Sequence, residues 1–596
     1  MGSPGSKAVA ASPAGTKLPP WINPMDAPFN AAGDGSTDDY AAFAAADAAA
    51  ASTGAALIIT RTHKIGASYT TKATIVMRTG RLKPARGVTL MIGQGFEAAP
   101  SAWCFDISAG GTVLFNNAIT PTGYPEWFGA VGTAHGRPLG SNDNRGALDA
   151  AVAAFPEVRF AALNYTITDV WKMGSSSRTL QGTAGGGSTV GYGVDTANRM
   201  GMDGGTRIVL VGANVVSSTV FQFGKDAPSS SDDSGQMRNS SCRDLVFARD
   251  CSGAYKPRAS LTSDPIDCVK GVLFIGASDC VMERCWSYDS PVGFHTIGVV
   301  ISKLVDCSVR RVSPASTPAH DFFVGYLHGG YGAANFGYIG NSASTYFIRC
   351  HVFDRPPGID TSWGMRLFGR FADVFVLDFE MARLAYGIEI DGRDKAGTAM
   401  SESGFKYAQQ DVSIVNPTID GCSSGGIWIH HTQAYFCVDI VNPYVASDGF
   451  NINGEHCGGS IKITAGRMLG NGLAFTHVEG LGIHGTHVRD ATAPLVMTKC
   501  GMFDVQVDAL QLDRACTQAV SLISVFRGRL ALQLRGAPGK ARYGVVCDAE
   551  TNLVEVNGSG VNPGVFTSVD PANKVRYNGG DARTAFGTNV LSGVTS

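Results

Sequence analysis

Val412-Ser-Ile-Val-Asn-Pro-Thr-Ile419 returns 26 residues later as Val438-Asp-Ile-Val-Asn-Pro-Tyr-Val445. Ile461-Lys-Ile-Thr-Ala-Gly-Arg-Met468 follows after 23 more, Leu481-Gly-Ile-His-Gly-Thr-His-Val488 after 20, and Phe503-Asp-Val-Gln-Val-Asp-Ala-Leu510 after 22. A period of this size marks a solenoid, in which each unit buries its apolar side against its neighbours. Apolar and polar residues alternate within each unit, as they do in strands with one buried face. The leucine and asparagine consensus of a leucine-rich repeat is missing, so the pattern predicts an all-β chain wound as a parallel β-helix.

Each unit carries a second strand, usually opened by glycine. Gly387-Ile-Glu-Ile-Asp391, Gly426-Ile-Trp-Ile-His430, Gly449-Phe-Asn-Ile-Asn453 and Gly472-Leu-Ala-Phe-Thr476 align without gaps. Side chains alternate between the faces of a strand. Ile388/Ile390, Ile427/Ile429, Phe450/Ile452 and Leu473/Phe475 are therefore expected to point inward. Glu389/Asp391, Trp428/His430, Asn451/Asn453 and Ala474/Thr476 are expected outward, in two columns with one strand spacing, about 4.8 Å, between coils.

Composition fits this reading. Glycine accounts for 75 of 596 residues, and charged residues for 16%, against usual values of about 7% and about 25%. Dry stacked strands joined by tight turns need the first and tolerate the second. The balance of 48 basic and 50 acidic residues gives no electrostatic case for nucleic acid or an anionic membrane. No apolar run reaches the ~18 residues of a membrane span. The fourteen cysteines show neither C-x-x-C pairs nor finger spacing. Cys280, Cys307, Cys350 and Cys437 fall in strand-like stretches, where a free thiol serves as a small hydrophobe. Buried, reduced thiols and folding in a reducing compartment are the expectation.

Residues 1–25 are rich in Ala, Pro, Gly and Ser and read as a flexible leader. Then comes Gly33-Asp-Gly-Ser-Thr-Asp-Asp39, running into alanine. Asp38 or Thr37 is expected to cap a helix over about 39–51, with Leu57-Ile-Ile59 as the strand after it. A second version follows: Tyr124-Pro-Glu-Trp-Phe-Gly-Ala130, then Ser141-Asn-Asp-Asn-Arg-Gly-Ala-Leu-Asp-Ala-Ala-Val-Ala-Ala154. Turn and cap chemistry accounts for both acidic loops without a metal.

These two motifs resemble the opening of the pectate-lyase-like parallel β-helix superfamily, in the version found in bacteriophage tailspikes and capsule depolymerases. The motifs cover about 29–160, and the coil pattern extends the likeness to about 570. The resemblance implies a right-handed parallel β-helix with short N-terminal helices, assembled as a homotrimer. It further implies attachment to a phage tail or baseplate, synthesis in the host cytoplasm, and a bacterial capsule or O-antigen polysaccharide as ligand. Little precedes residue 25, so a head-binding domain is expected to be absent or removed. The expected division is a leader at 1–25, a β-helix opening region at 26–160, a loop-rich connection at 161–240, the coil body at 241–570 and a cap or trimer contact at 571–596. Insertions at 314–344 and 393–410 interrupt the body and are expected to shape a binding surface.

A glycosidase needs two carboxyl groups, one protonated and one ionised. Glu389 and Asp391 lie two residues apart on one face, with Cα atoms about 6.6 Å apart. Side chains from that spacing can set the carboxyl groups near the ~6.5–9.5 Å separation of inverting enzymes. Aligning Val374/Val376 with Val412/Ile414 brings Glu380 to the column of Thr418, Tyr444 and Arg467, beside the same bend. Glu380, Glu389 and Asp391 are accordingly the candidate catalytic residues, and mutual repulsion would raise one pKa. Arg366, Trp428, His430, Asn451, Asn453, Tyr444 and Arg467 are the candidate substrate contacts. Trp363, Asp354 and Asp360 in a preceding loop, and His320, Asp321 and His328, are weaker ones. Each of these side chains also has a plain structural reading, as a solvated charge, loop packing or trimer contact. His477, His484, His487 and Glu455-His456 lack tight ligand spacing, so neither a metal nor a cofactor is expected. Lyase chemistry with Arg366 or Arg467 and a base (His430, His487 or Tyr444), or glycan binding alone, fits the same scaffold. No G-x-S-x-G motif supports a deacetylase.

Overall fold

A computed structural model of the chain describes residues 21–183, 205–226, 235–250, 268–311, 322–330, 342–353, 358–359, 361–393, 411–489, 494–512, 516–536, 541–547, 551–560, 567–568 and 575–577. It divides into two compact units, one of residues 1–131 and 146–159, the other of 132–145 and 160–596.

The first unit contains three small parallel sheets, threaded through strands such as Ala56–Ile59, Thr62–Ile65 and Thr89–Ile92. Its first helix spans Tyr40–Thr53. Asp38 does approach the helix start, accepting the Tyr40 N–H at 3.1 Å. Asp39 occupies the cap position but turns away. Its carboxylate takes the N–H groups of Ala32 at 2.6 Å and Gly33 at 2.9 Å, and meets Nδ1 of buried His63 at 2.9 Å. Asp34 closes its own turn on the N–H groups of Ser36 and Thr37. The acidic loop is thus held by backbone donors, as turn chemistry predicts.

In the second unit each regular coil contributes one strand to each of three parallel faces. Phe371–Leu377, Val412–Val415 and Cys437–Val441 lie on the first face, and Glu380–Ala382, Thr418–Cys422 and Tyr444–Ser447 on the second. Thr361–Gly369, Tyr386–Asp391 and Gly425–His430 lie on the third. The first-face register follows the repeat in the sequence. Val374 pairs with Val412, Val412 with Val438, Val438 with Ile461, Ile461 with Leu481 and Leu481 with Phe503.

The Val-Asn-Pro signature is the turn between the first and second faces. Asp378, Asn416 and Asn442 all adopt φ of 50–52°, the left-handed region, which Asn and Asp tolerate better than other side chains. Their N–H groups donate to the next coil, at Val415, Val441 and Thr464. Their side chains form a ladder, Asn442 Nδ2 donating to Asn416 Oδ1 at 3.1 Å and Asn416 Nδ2 to Asp378 Oδ1 at 3.0 Å. In earlier coils the same turn is bridged by ion pairs, Arg349 with Asp306 and Arg284 with Asp244.

Several boundaries differ from the sequence reading. Parallel pairing of Asn164–Ile167 with Thr206–Leu210, and of the latter with Leu245–Arg249, starts before Cys242. Short strands separated by long gaps hide this from periodicity. Pairing also reaches Val575–Tyr577, beyond 570. Phe322–Gly330 is a strand of the third face and Ser342–Ile348 one of the first, so both interrupt the expected insertion at 314–344; residues 314–321, 331–341 and 394–410 lie outside the described residues. The eleven cysteines whose side chains are described are free thiols, and ten of them are buried. Burial pushes Cys280 up to about 11 and Cys350 to about 12, which fits an inert packing role.

Candidate functional site

The third face presents the site. Its inner column Ile388–Ile427–Ile452–Leu473 is sealed from solvent. Gly387 and Gly426 make the approach of neighbouring coils possible there. A Cβ on Gly387 would lie 2.2 Å from the Gly426 carbonyl oxygen, and one on Gly426 2.3 Å from that of Asn451. Asn451 therefore occupies the place that the sequence alignment gave to Gly449. The third coil is displaced by two residues from the gapless alignment: Ile452 stays inward and Asn453 outward, whereas Phe450, expected inward, and Asn451, expected outward, do not keep their sides. Phe450 moves outward, half-buried, to the column of Tyr386 and Gly425, while Ile452 stays inside one step along. Ile390, Ile429 and Phe475 share their column with Gly454.

Two outward columns result, Arg366–Glu389–Trp428–Asn453–Ala474 and Phe368–Asp391–His430–Glu455–Thr476. Glu389 and Asp391 point outward as expected, yet they are not solvated charges: Glu389 is 2% exposed, Asp391 5% and His430 0%. Burial is tolerated because each carboxylate is paired. Arg366 Nε lies 2.6 Å from Glu389 Oε2, and its Nη2 3.3 Å from Asp391 Oδ2. His430 stands between the two acids, Nε2 at 2.9 Å from Glu389 Oε1 and Nδ1 at 3.7 Å from Asp391 Oδ1. Arg393 clasps Asp391 with its backbone N–H at 3.0 Å, Nε at 2.9 Å and Nη2 at 2.8 Å. Burial works to raise the Asp391 carboxyl, but the Arg393 hydrogen bonds and the neighbouring His430 outweigh it and hold the group below its ordinary range.

Beside this cluster runs a stack of four rings. Trp363 and Tyr386 lie 5.8 Å apart, Tyr386 and Trp428 6.0 Å, and Trp428 and His430 4.3 Å, all within 26° of parallel. Arg366 sits over Trp363 at 5.0 Å. Trp428 is half-buried, not a bare indole on a solvated strand.

Other candidates lie apart from this cluster. Glu380 pairs in register with Thr418, and through it with Tyr444 and Arg467, as predicted. That column belongs to the second face, where Glu380 meets His351 at 3.4 Å and is half-exposed. Glu380 is therefore no partner of Glu389 or Asp391, because the turn at 383–385 separates the two strands. Tyr444 and Arg467 stay with Glu380. Asn451 is buried and donates to the Asn471 carbonyl, and Asn453 takes the outward position beside Trp428. His328 points into the coil, donating or accepting at 2.7 Å with Thr296 Oγ1, and burial pulls it down to about 3. Asp354, Asp360, His320 and Asp321 lie outside the described residues.

Arg393, Tyr386 and His431 are the participants that sequence reasoning missed, and Glu455, weighed there only as a metal ligand, joins the His430 column. Arg393 follows Asp391 by two and Glu455 falls in register with His430, so both become visible once the register is known. His431 Nδ1 lies 3.1 Å from His430 Nδ1. Its own ring is stacked at 5.2 Å on His456, which stacks at 4.6 Å on His477. Burial pulls the His431 pKa down, and His430, Arg393 and His456 add to this against Asp391.

No protein-family model and no curated protein matches the chain. Solved structures of low identity do. Tailspike protein 3 of bacteriophage CBA120 is 14% identical over 79% of this chain and 62% of its own, with a TM-score of 0.40, so the chain spans about three fifths of that protein's length. A mutant tailspike of Escherichia coli bacteriophage HK620 is 10% identical over 74% and 77% of the two chains, with a TM-score of 0.46. The A-module of a mannuronan C-5 epimerase from Azotobacter vinelandii is 13% identical over 76% and 97%, with a TM-score of 0.38.

Proposed function

We propose that the chain is a tailspike which binds and cleaves a bacterial surface polysaccharide on the third face of its coils. The observation that carries this reading is the buried cluster Glu389–His430–Asp391 with its two arginines, set against the ring stack Trp363–Tyr386–Trp428. The opening motifs at 29–160 and their resemblance to phage spikes support it. Two carboxylates with unlike surroundings are what glycoside hydrolysis requires. Asp391, held ionised by Arg393, is the base that activates water. Glu389 exchanges its proton with His430 and protonates the leaving oxygen. Apolar sugar faces meet the edge of the ring stack. The spike acts from the virion tail as a right-handed β-helix in a homotrimer, which light scattering tests.

His430 and Arg366 favour a second reading, a polysaccharide lyase in which His430 removes a proton and Arg366 neutralises the sugar carboxylate. Arg366 is already engaged by both acids, so hydrolysis is preferred. Purified polysaccharide from a susceptible host separates the two. Hydrolysis yields reducing ends without absorbance from a new double bond, lyase action yields both, and a binding spike yields neither.

A further inference from the structure

We propose that Asp391, His430 and His431 form a binding site for one divalent transition-metal cation of the zinc class. One ligand atom from each residue falls within 4.8 Å of the other two, and among the described residues no other such group of His, Cys, Asp or Glu occurs. The inference does not depend on the polysaccharide reading, because it concerns uptake of the metal alone.

Adjacent residues of a strand normally face opposite sides. Here the strand ends at His430, and His431 adopts φ 55°, which turns its ring back to the side of His430. The two Nδ1 atoms stand 3.1 Å apart. Two nitrogens bound to one tetrahedral zinc at about 2.0–2.1 Å would lie roughly 3.3 Å apart, so little movement is needed. Asp391 Oδ1 is 3.7 Å from His430 Nδ1. The arrangement behind these atoms is what a metal-bound imidazole requires: the other ring nitrogen of His430 faces the Glu389 carboxylate at 2.9 Å. With the proton on Nε2, the Nδ1 lone pair is directed at the site. Arg393 fixes Asp391 through both carboxylate oxygens, as outer hydrogen bonds do for ligating carboxylates.

Charge bears on the same point. Arg366 and Arg393 offset Glu389 and Asp391, and Glu455 in the next coil, on the His430 column, adds a negative group. A bound metal would take both Nδ1 lone pairs, with each ring proton held on Nε2. The ligands are 39 and 40 residues apart in sequence, which explains why ligand spacing did not reveal them.

The test is zinc titration by calorimetry on full-length protein stripped with chelator, with metal content of the dialysed protein counted per chain. His431→Asn is the informative variant, since asparagine tolerates the left-handed conformation. His477→Asn, in the same turn position two coils on, is the control. The expected result is one zinc per chain, at least tenfold weaker in His431→Asn and unchanged in His477→Asn. No uptake by the unaltered protein, uptake unaffected by His431→Asn, or equal loss in both variants would overturn the proposal.

Discussion

His430 Nε2 stands 2.9 Å from Glu389 Oε1, one coil apart in space and 41 residues apart in the chain. Both groups are buried, so Glu389 supports the fold as well as the site. Removing one partner of a buried ion pair costs about 3–5 kcal/mol, since the other charge stays behind. Glu389→Gln is therefore expected to destabilise the second unit by an amount in that range, read as a lower denaturant midpoint. Glu380→Gln, half-exposed beside His351, is expected to stay within about 0.5 kcal/mol of the unaltered protein.

Trp428 separates Tyr386 from His430 in the ring stack. Trp428→Ala is expected to weaken polysaccharide binding and also to slow turnover, because His430 loses the ring that fixes its orientation. Trp428→Phe should restore most of the turnover. Binding and rate measured on the two variants check this, and unchanged turnover in Trp428→Ala would separate His430 from catalysis.

Asn442 sits at φ 50° and donates to Asn416. An alanine there meets the left-handed penalty of about 1–2 kcal/mol and loses the ladder bond. Asn442→Ala is expected to lower stability by about 2 kcal/mol, and Asn442→Gly by clearly less. Thermal unfolding of the two variants distinguishes the conformational cost from the hydrogen bond.

Several carboxylates are held below their ordinary range. Burial opposes ionisation of Asp143 and Asp244, but Arg145 and Thr168 bring the first to about 2, and Arg284 and Gln181 lower the second. Arg349 lowers Asp306. A carboxyl depressed in the folded state stabilises it fully above the unfolded value of about 3.9 and loses that contribution as pH falls through the folded value. Urea midpoints are expected to be level on this account above pH ~5 and to drop steeply below ~4. Asp306→Asn should make the drop shallower.

The first-face register was legible because Val-Asn-Pro occurs twice at a turn whose backbone requires a left-handed residue, and the apolar alternation around it admits one pairing. The third-face register was legible for Glu389, Asp391, Trp428 and His430, and failed at Phe450. There the alignment followed Gly449, whereas the close approach at Gly426 is met by Asn451. Glu380 was placed in the right column but expected to converge with Glu389 and Asp391 on one groove, since strand alternation says nothing about where a turn bends the chain. Arg393 and His431 lie at the ends of third-face strands, where alternation stops and only the fold shows which way a side chain turns.

The central claim is that the carboxylates of the third face do the chemistry. Its most direct test is the release of reducing ends from purified host polysaccharide by Glu389→Gln, Asp391→Asn and Glu380→Gln, with folding of each variant verified. The account predicts losses of about 10²–10⁴ for the first two, the range for removing a proton-transfer group, and near-full activity for Glu380→Gln. Near-full activity in Glu389→Gln and Asp391→Asn, or an equal loss in Glu380→Gln, would contradict it.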